Sequence, residues 1–331
     1  MDLDITPCSF APVFAYNPDR PTMIPQSPVG PQGFPNLPED WINEFETFSS
    51  SDAKGQLFGQ LFRPKRWKGP NAHRVLLVFH GQGEHGGRYV HLPHYIKDYF
   101  GAVYCLDHQG HGHSRGRRGH IPHFDDYAND GELVIHRLYE YLLERFGKVE
   151  LFVLGHSMGG LILLRTLLRF RDLPIEAAVC SAPMIDLSIE VPKIKEMASH
   201  VMLKVAPGLS IPGSDLSQII SRDPFVCEHN AADPLTHSMV SAAFYHSYLE
   251  VKEDLKNRAH EISYPVLTQI AGGDLIIDPD SQLELAKTMN QPGQTYKLYK
   301  NLYHEIYNEP EKEIVIKDML EWITALKEER H

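Results

Sequence analysis

Three residues in this chain have the types and the order for covalent acyl chemistry: Ser157, Asp274 and His304. A serine hydroxyl is a poor nucleophile at neutral pH. It needs a base to take its proton, an acid to orient that base, and N–H donors to hold the oxyanion. Ser157 lies in VLGHSMGG, residues 153–160, with Gly155 and Gly159 two positions to either side. A short apolar run rich in β-branched and aromatic residues ends just before it, and a leucine-rich run long enough for a helix begins just after. The spacing predicts a sharp strand-to-helix turn, where backbones crowd and small residues relieve the crowding.

Serine, then acid, then histidine is one known order for such triads in chains of alternating strands and helices. The strand VLTQIAG ends in Gly272, Gly273 and Asp274, and the strand YKLYKN leads into His304, before the last helix. Asp278 is the rival acid, but it precedes Pro279, where it can cap the next helix. Taken singly, each residue has an ordinary reading: a chance GxSxG, an aspartate in turn chemistry, a surface histidine. Their joint placement at strand ends is what points to a site. The oxyanion donors are expected to be the backbone N–H of Met158, after the nucleophile, and that of Gln82, in the loop HGQGEHGGRY that follows RVLLVFH. His80 is expected to hydrogen-bond that loop and fix its shape.

These residues need a scaffold, and the chain alternates in the way that supplies one. FETF and QLFGQLF read as paired strands. RVLLVFH, GAVYCLD, VELFVLG and IEAAVCSAP read as strands separated by helices over RYVHLPHYIKDYF, NDGELVIHRLYEYLLERF and the run after Ser157. This predicts an α/β fold, with a mostly parallel central sheet and helices on both faces. The rhythm stops at Pro183 and resumes with YPVLTQIAGGD, a helix at 280–290, YKLYKN and a final helix. The expected organisation is a proline-rich arm over 1–40, a core over 41–182 and 255–331, and an inserted helical cap over 183–254. In that cap, Ile194, Met197, Ala198, Val201, Met202 and Val205 fall on one helical stripe. Met197, Val201 and Met202 are the candidate wall of a substrate channel, plain helix packing being the alternative.

Composition narrows the function classes. With 331 residues, 42% hydrophobic and 23% charged, the chain is ordinary for a globular protein with one substantial core. Its net charge of −11 argues against nucleic acid as a partner, since phosphate binding needs a basic face. The four cysteines are widely spaced and read as reduced and structural, consistent with a cytoplasmic location. No apolar run approaches the roughly 18–20 residues that span a bilayer, and the acidic MDLDITPCSF does not read as a secretory signal.

Taken together, HGQGEHGGRY, DHQGHGHSRGRRG, GHSMGG, AGGDLIID and YHEIYNEP resemble the monoacylglycerol lipase and lysophospholipase family of α/β-hydrolases, over about residues 41–331. The resemblance implies an α/β-hydrolase core with a helical cap and hydrolysis of single-chain acyl esters through an acyl-enzyme, without cofactor or metal. It implies Ser157 as nucleophile, Asp274 as acid, His304 as base, and Gln82 with Met158 as oxyanion donors. Gln82 stands where smaller residues are common, and the arm has no counterpart in the family. A small lipid ester is the expected partner, and transient contact with a membrane surface is compatible with it. The alternatives are an esterase or peptidase for another small acyl substrate, and a fold kept only for binding. Gly81, Gly83 and Gly86 also spell GxGxxG after a strand, with Asp107 ending the next strand about 20 positions on, the pattern of a dinucleotide site. His108, His111, His113, His120 and His123 form a further cluster, whose spacing reproduces no known hydrolase ligand set.

Overall fold

The computed structural model describes residues 28–189 and 193–329, so the first 27 residues of the proline-rich arm lie outside the described residues. The chain opens with an antiparallel pair, β1 (Trp41–Ser49) and β2 (Gln56–Pro64). Then come β3 (Arg74–Phe79), α1 (Leu92–Ile96), β4 (Ala102–Asp107), α2 (Phe124–Phe146), β5 (Glu150–His156), α3 (Met158–Arg169) and β6 (Ala177–Ser181). The segment that breaks the rhythm holds α4 (Lys193–Val205), β7 (Ser210–Pro212), α5 (Pro224–Ala232), β8 (Met239–Ser241) and the start of α6 (Ala242–Arg258). The chain closes with β9 (Val266–Ala271), α7 (Pro279–Thr288), β10 (Thr295–Tyr299) and α8 (Lys312–Glu329).

Eight strands form one sheet in the order β1-β2-β4-β3-β5-β6-β9-β10. The pairs from β4 to β10 are parallel, and β1 and β2 are antiparallel additions at one edge. Every residue of β3 after Arg74 is buried, as a strand covered on both faces requires. Its side chains divide by alternation: Val75, Leu77 and Phe79 join a core shared with α2, α3 and α6, while Leu76 and Val78 join a second core shared with α1 and α8. The sheet is therefore sandwiched between two helical layers.

Topology decides where a site can form. From β3 the chain moves to β4 on one side, and from β5 it moves to β6 on the other. The loops after β3 and β5 thus part in opposite directions, leaving a crevice above the carboxyl ends of those neighbouring strands. Ser157 and the HGQGEHGGRY loop are the residues delivered there.

Three differences from the sequence reading have local causes. The helix expected over RYVHLPHYIKDYF is a short 3₁₀ turn, Gly86–Tyr89, followed by the five-residue α1. Pro93 cannot donate a backbone hydrogen bond, so a helix can start beside it but not run through it. The boundary expected at 254 falls inside α6, which runs unbroken from the inserted segment into the core, where Val251 and Leu255 are buried. The ribbon of β7 and β8 and the helix α5 carry patterns too short for periodicity to mark.

Several histidines are buried at little or no exposure. Burial disfavours the imidazolium and pushes His80 down to about 3, and His91 and His156 down to about 4. Below about pH 6.5 the unfolded chain binds protons that these folded rings refuse, so stability falls as pH falls, by about 1.4 kcal/mol per pH unit for each such ring. Denaturant midpoints are expected to drop steeply between pH 6.5 and 5. A midpoint unchanged across that range would contradict the buried neutral histidines.

Candidate active site

Ser157 closes β5 and opens α3, with φ 51° and ψ −116°, in the left-handed region that a residue with a side chain avoids. Such a conformation costs about 1–3 kcal/mol. The turn offsets it with backbone hydrogen bonds of roughly 1 kcal/mol each: the Ser157 N–H donates to the Ser181 carbonyl, and the Ser157 carbonyl accepts from Gly160, Leu161 and Met184. The flanking glycines are there for space. A Cβ on Gly159 would strike the Phe79 carbonyl at the end of β3 and sit 2.6 Å from the His80 carbonyl oxygen. A Cβ on Gly155 would fall 2.7 Å from the Gly159 carbonyl carbon.

Asp274 and His304 are brought together from the ends of β9 and β10. His304 Nδ1 lies 2.7 Å from Asp274 Oδ2, and Asp274 Oδ1 accepts the N–H groups of Ile276 and Ile277 at 2.8 and 3.0 Å. The carboxylate is thus clamped by its own loop and presents one oxygen to the ring. Asp278 is occupied elsewhere, capping α7 by accepting from Ser281 N–H at 3.1 Å. Burial works against a charged His304, but the Asp274 carboxylate, helped by Glu305 and Glu84, outweighs it, and the ring titrates above the ordinary imidazole value.

Ser157 and His304 line one cavity of about 580 Å³, with Gln82 at its rim. No direct hydrogen bond joins the serine hydroxyl to the ring among the described residues; such contacts often tighten only with substrate bound. The N–H of Met158 belongs to the first turn of α3, where helix geometry leaves it without an intrahelical partner. Glu84 Oε1 accepts the Gly81 N–H at 2.6 Å and so shapes the loop just before Gln82. The Gln82 side chain ties that loop to the ribbon, donating from Nε2 to the Met239 carbonyl at 3.0 Å. His80 holds the same loop to its neighbour: Nδ1 lies 2.8 Å from the Gly81 carbonyl, and Nε2 accepts the His108 N–H at 3.0 Å.

The apolar wall comes from both core and inserted segment, including Met184, Met202, Leu216, Ile220, Phe244 and Ile276. The stripe on α4 is split. Met202 faces the cavity, but Met197 and Val201 are 68% and 59% exposed and point away from it. The stripe is wider than the contact α4 makes with α6, so its outer half meets solvent.

The two rival patterns are spent on structure. Gly86 begins a 3₁₀ turn of four residues, not the long helix whose N-terminus a dinucleotide phosphate needs. Asp107 is buried, with Oδ1 and Oδ2 accepting from Gly86 and His113 N–H groups. Of the histidine cluster, His108 and His111 pack beside the His80 ring, His120 contacts Ser241 Oγ, His113 packs on Phe58, and His123 precedes α2. Among the described residues no three His, Cys, Asp or Glu side chains gather as a metal site.

Sequence reading missed one feature. Arg88 lies buried between Glu84 and Glu305, all three at the polar end of the cavity. The i, i+4 spacing of Glu84 and Arg88 was a usable signal, whereas nothing local linked either to Glu305.

A strained serine turn at the switch point of a parallel sheet, facing an Asp–His pair supplied by later strand ends, is the architecture of an α/β-hydrolase of the serine type. Residues 70–311 match the family described as serine aminopeptidase, S33. A monoacylglycerol lipase of Mycolicibacterium smegmatis is 30% identical over 256 residues, covering 76% of this chain and 88% of that one. Phospholipase YtpA of Bacillus subtilis is 29% identical over 252 residues, covering 76% and 95%. The crystal structure of Paleococcus ferrophilus monoacylglycerol lipase superposes with a TM-score of 0.67 at 28% identity, covering 86% of this chain and 99% of that one. The chain belongs to this serine-hydrolase family, and it is a carboxylic ester hydrolase.

The turn geometry makes a direct prediction. Gly159→Val is expected to yield little folded protein, or folded protein at least 100-fold less active, because α3 must retreat from β3 and carry Ser157 with it. Full activity in a purified Gly159→Val enzyme would contradict the packing.

Proposed function

We propose that this enzyme hydrolyses single-chain lipid esters, monoacylglycerols or lysophospholipids, through an acyl-enzyme on Ser157. Ser157 Oγ attacks the ester carbonyl carbon while its proton passes to His304 Nε2, and Asp274 holds the ring and balances the imidazolium. The oxyanion is received by the N–H groups of Gln82 and Met158. His304 then gives its proton to the leaving alcohol oxygen. Water, deprotonated by the same ring, attacks the acyl-enzyme and releases the fatty acid and free Ser157. No cofactor enters any of these steps.

The observation that carries the reading is the Asp274–His304 pair, 2.7 Å apart, opening onto the same cavity as Ser157. The cavity supports a lipid because its wall is mainly apolar, while Glu84, Arg88 and Glu305 gather near Ser157 and His304. The relatives named monoacylglycerol lipase and phospholipase support the same substrate class. In this reading the inserted segment from 183 into α6 serves as a cap, and Met202 contributes to the acyl wall. The family description, serine aminopeptidase, favours a second reading, cleavage of an N-terminal aminoacyl bond.

The reading extends to location. Among the described residues, Cys105, Cys180 and Cys227 are free thiols, and no helix is long and apolar enough to cross a membrane. Both features support a cytoplasmic enzyme that reaches its substrate by touching a membrane surface. Ile194, Met197, Val201 and Val205 on the outer face of α4 are 74, 68, 59 and 76% exposed and form the surface for that contact.

Two experiments test these proposals. Fatty acid release is measured from a monoacylglycerol and a lysophosphatidylcholine of equal chain length, and arylamine release from an aminoacyl arylamide, with wild type and Ser157→Ala in parallel. Release from a lipid ester is expected, abolished in Ser157→Ala; cleavage of the arylamide alone would select the peptidase reading. Separately, Met197→Asp with Val201→Asp is expected to lower co-sedimentation with phosphatidylcholine vesicles at least tenfold while sparing a water-soluble short-chain ester. Unchanged co-sedimentation would remove α4 as the contact surface.

A further inference from the structure

The loop that carries Gln82 and the loop that carries His304 meet through a single buried cation. Glu84 turns back so that Oε1 accepts from the Gly81 N–H at 2.6 Å and from the Tyr89 hydroxyl at 3.0 Å. Its other oxygen accepts from Arg88 Nη1 at 2.7 Å. Arg88 also forks onto Glu305, with Nη1 to Oε1 at 2.7 Å and Nη2 to Oε2 at 2.8 Å, and Asn308 Nδ2 donates to the same Oε2 at 2.8 Å. Gly81 immediately precedes Gln82, and Glu305 immediately follows His304. One guanidinium therefore joins the two halves of the site across 217 positions of sequence.

The three side chains are only 4–7% exposed. Buried ions are costly, and packed apolar side chains often stabilise a fold as well, so stability alone gives no reason for two carboxylates and a guanidinium here. Position does. The fork of Arg88 is already filled by Glu305, so it is not a free anion-binding group. Two carboxylates against one guanidinium leave a surplus negative charge beside His304. Burial alone would raise both carboxyls, but Arg88 outweighs it and holds each below the ordinary carboxylate range, so the surplus charge is present at neutral pH.

We propose that Glu84, Arg88 and Glu305 act as one positioning unit for the hydrolysis, setting the distance between the Gln82 N–H and the His304 ring and favouring the imidazolium that forms as Ser157 loses its proton. None of the three is a catalytic residue in this account. Arg88 fixes geometry, because a bidentate pair constrains both distance and angle. Glu305 and Glu84 supply charge. The inference rests on the roles proposed above for His304 and Gln82.

The test compares wild type, Glu305→Gln and Arg88→Lys by kcat, KM and the acid limb of the pH profile of kcat/KM, using a soluble monoacyl ester. In wild type the acid limb is expected above about pH 6.5, the unperturbed imidazole value. Glu305→Gln keeps the shape of the side chain and removes its charge. It is expected to move the acid limb to lower pH and to reduce kcat about 10- to 100-fold with KM little changed. Arg88→Lys keeps the charge and removes the fork, and is expected to lower kcat with the acid limb in place. Should Glu305→Gln not fold, Glu84→Gln reads the same charge from the other arm, and its acid limb is expected to move in the same direction.

His304→Ala is assayed alongside. Release surviving in that variant would overturn the base assignment and the inference with it. If His304→Ala is inactive while folded Glu305→Gln keeps the wild-type acid limb and kcat, the inference alone is overturned.

Discussion

The close approach of α3 to the end of β3 is the constraint on which the site depends. Gly159 lies against the carbonyls of Phe79 and His80, with no room for a Cβ. That contact brings the start of α3 beside the loop that leaves β3. It also forces Ser157 into a conformation that only a densely hydrogen-bonded turn can hold. Strain, packing and chemistry are therefore one feature seen at three scales.

Electrostatics adds a contrast around that turn. His80, His91 and His156 are kept neutral by burial, and His156 lies with its ring centroid 4.8 Å from that of His304. His304 is equally buried yet its pKa is raised rather than lowered, because it alone of these rings is hydrogen-bonded to a carboxylate. What separates His304 from the other rings is its partner, not its depth. The inserted segment is bound into the same region: Gln82 bonds to the Met239 carbonyl, His85 Nε2 lies 2.8 Å from Asp233 Oδ2, and the His237 N–H donates to the Gly83 carbonyl at 2.8 Å.

Much of this was legible in the sequence, for identifiable reasons. β3, β4, β5 and β6 are continuous apolar runs because both faces of a parallel strand are buried, and such runs stand out. Ser157, Asp274 and His304 could be singled out because strand ends are marked by glycine and by the switch from one periodicity to the other. Periodicity could not tell which side of α4 faces inward. An apolar stripe records only that a face avoids water, and on α4 part of that stripe is exposed, which is why Met197 and Val201 were expected in the cavity wall and stand outside it. The bridge from Arg88 to Glu305 was invisible for a different reason: its partners are distant in sequence, and a charged residue in a loop reads as solvated until the fold buries it.

The proposed mechanism requires Ser157 to be an activated nucleophile. The most direct measurement treats the native enzyme with a fluorophosphonate, digests it and maps the modified peptide by mass spectrometry. The account predicts one phosphonyl group per chain, on Ser157, forming rapidly at pH 8 and much more slowly at pH 5, where His304 is protonated and cannot take the serine proton. Labelling of another residue, or none in folded enzyme that releases fatty acid, would contradict it.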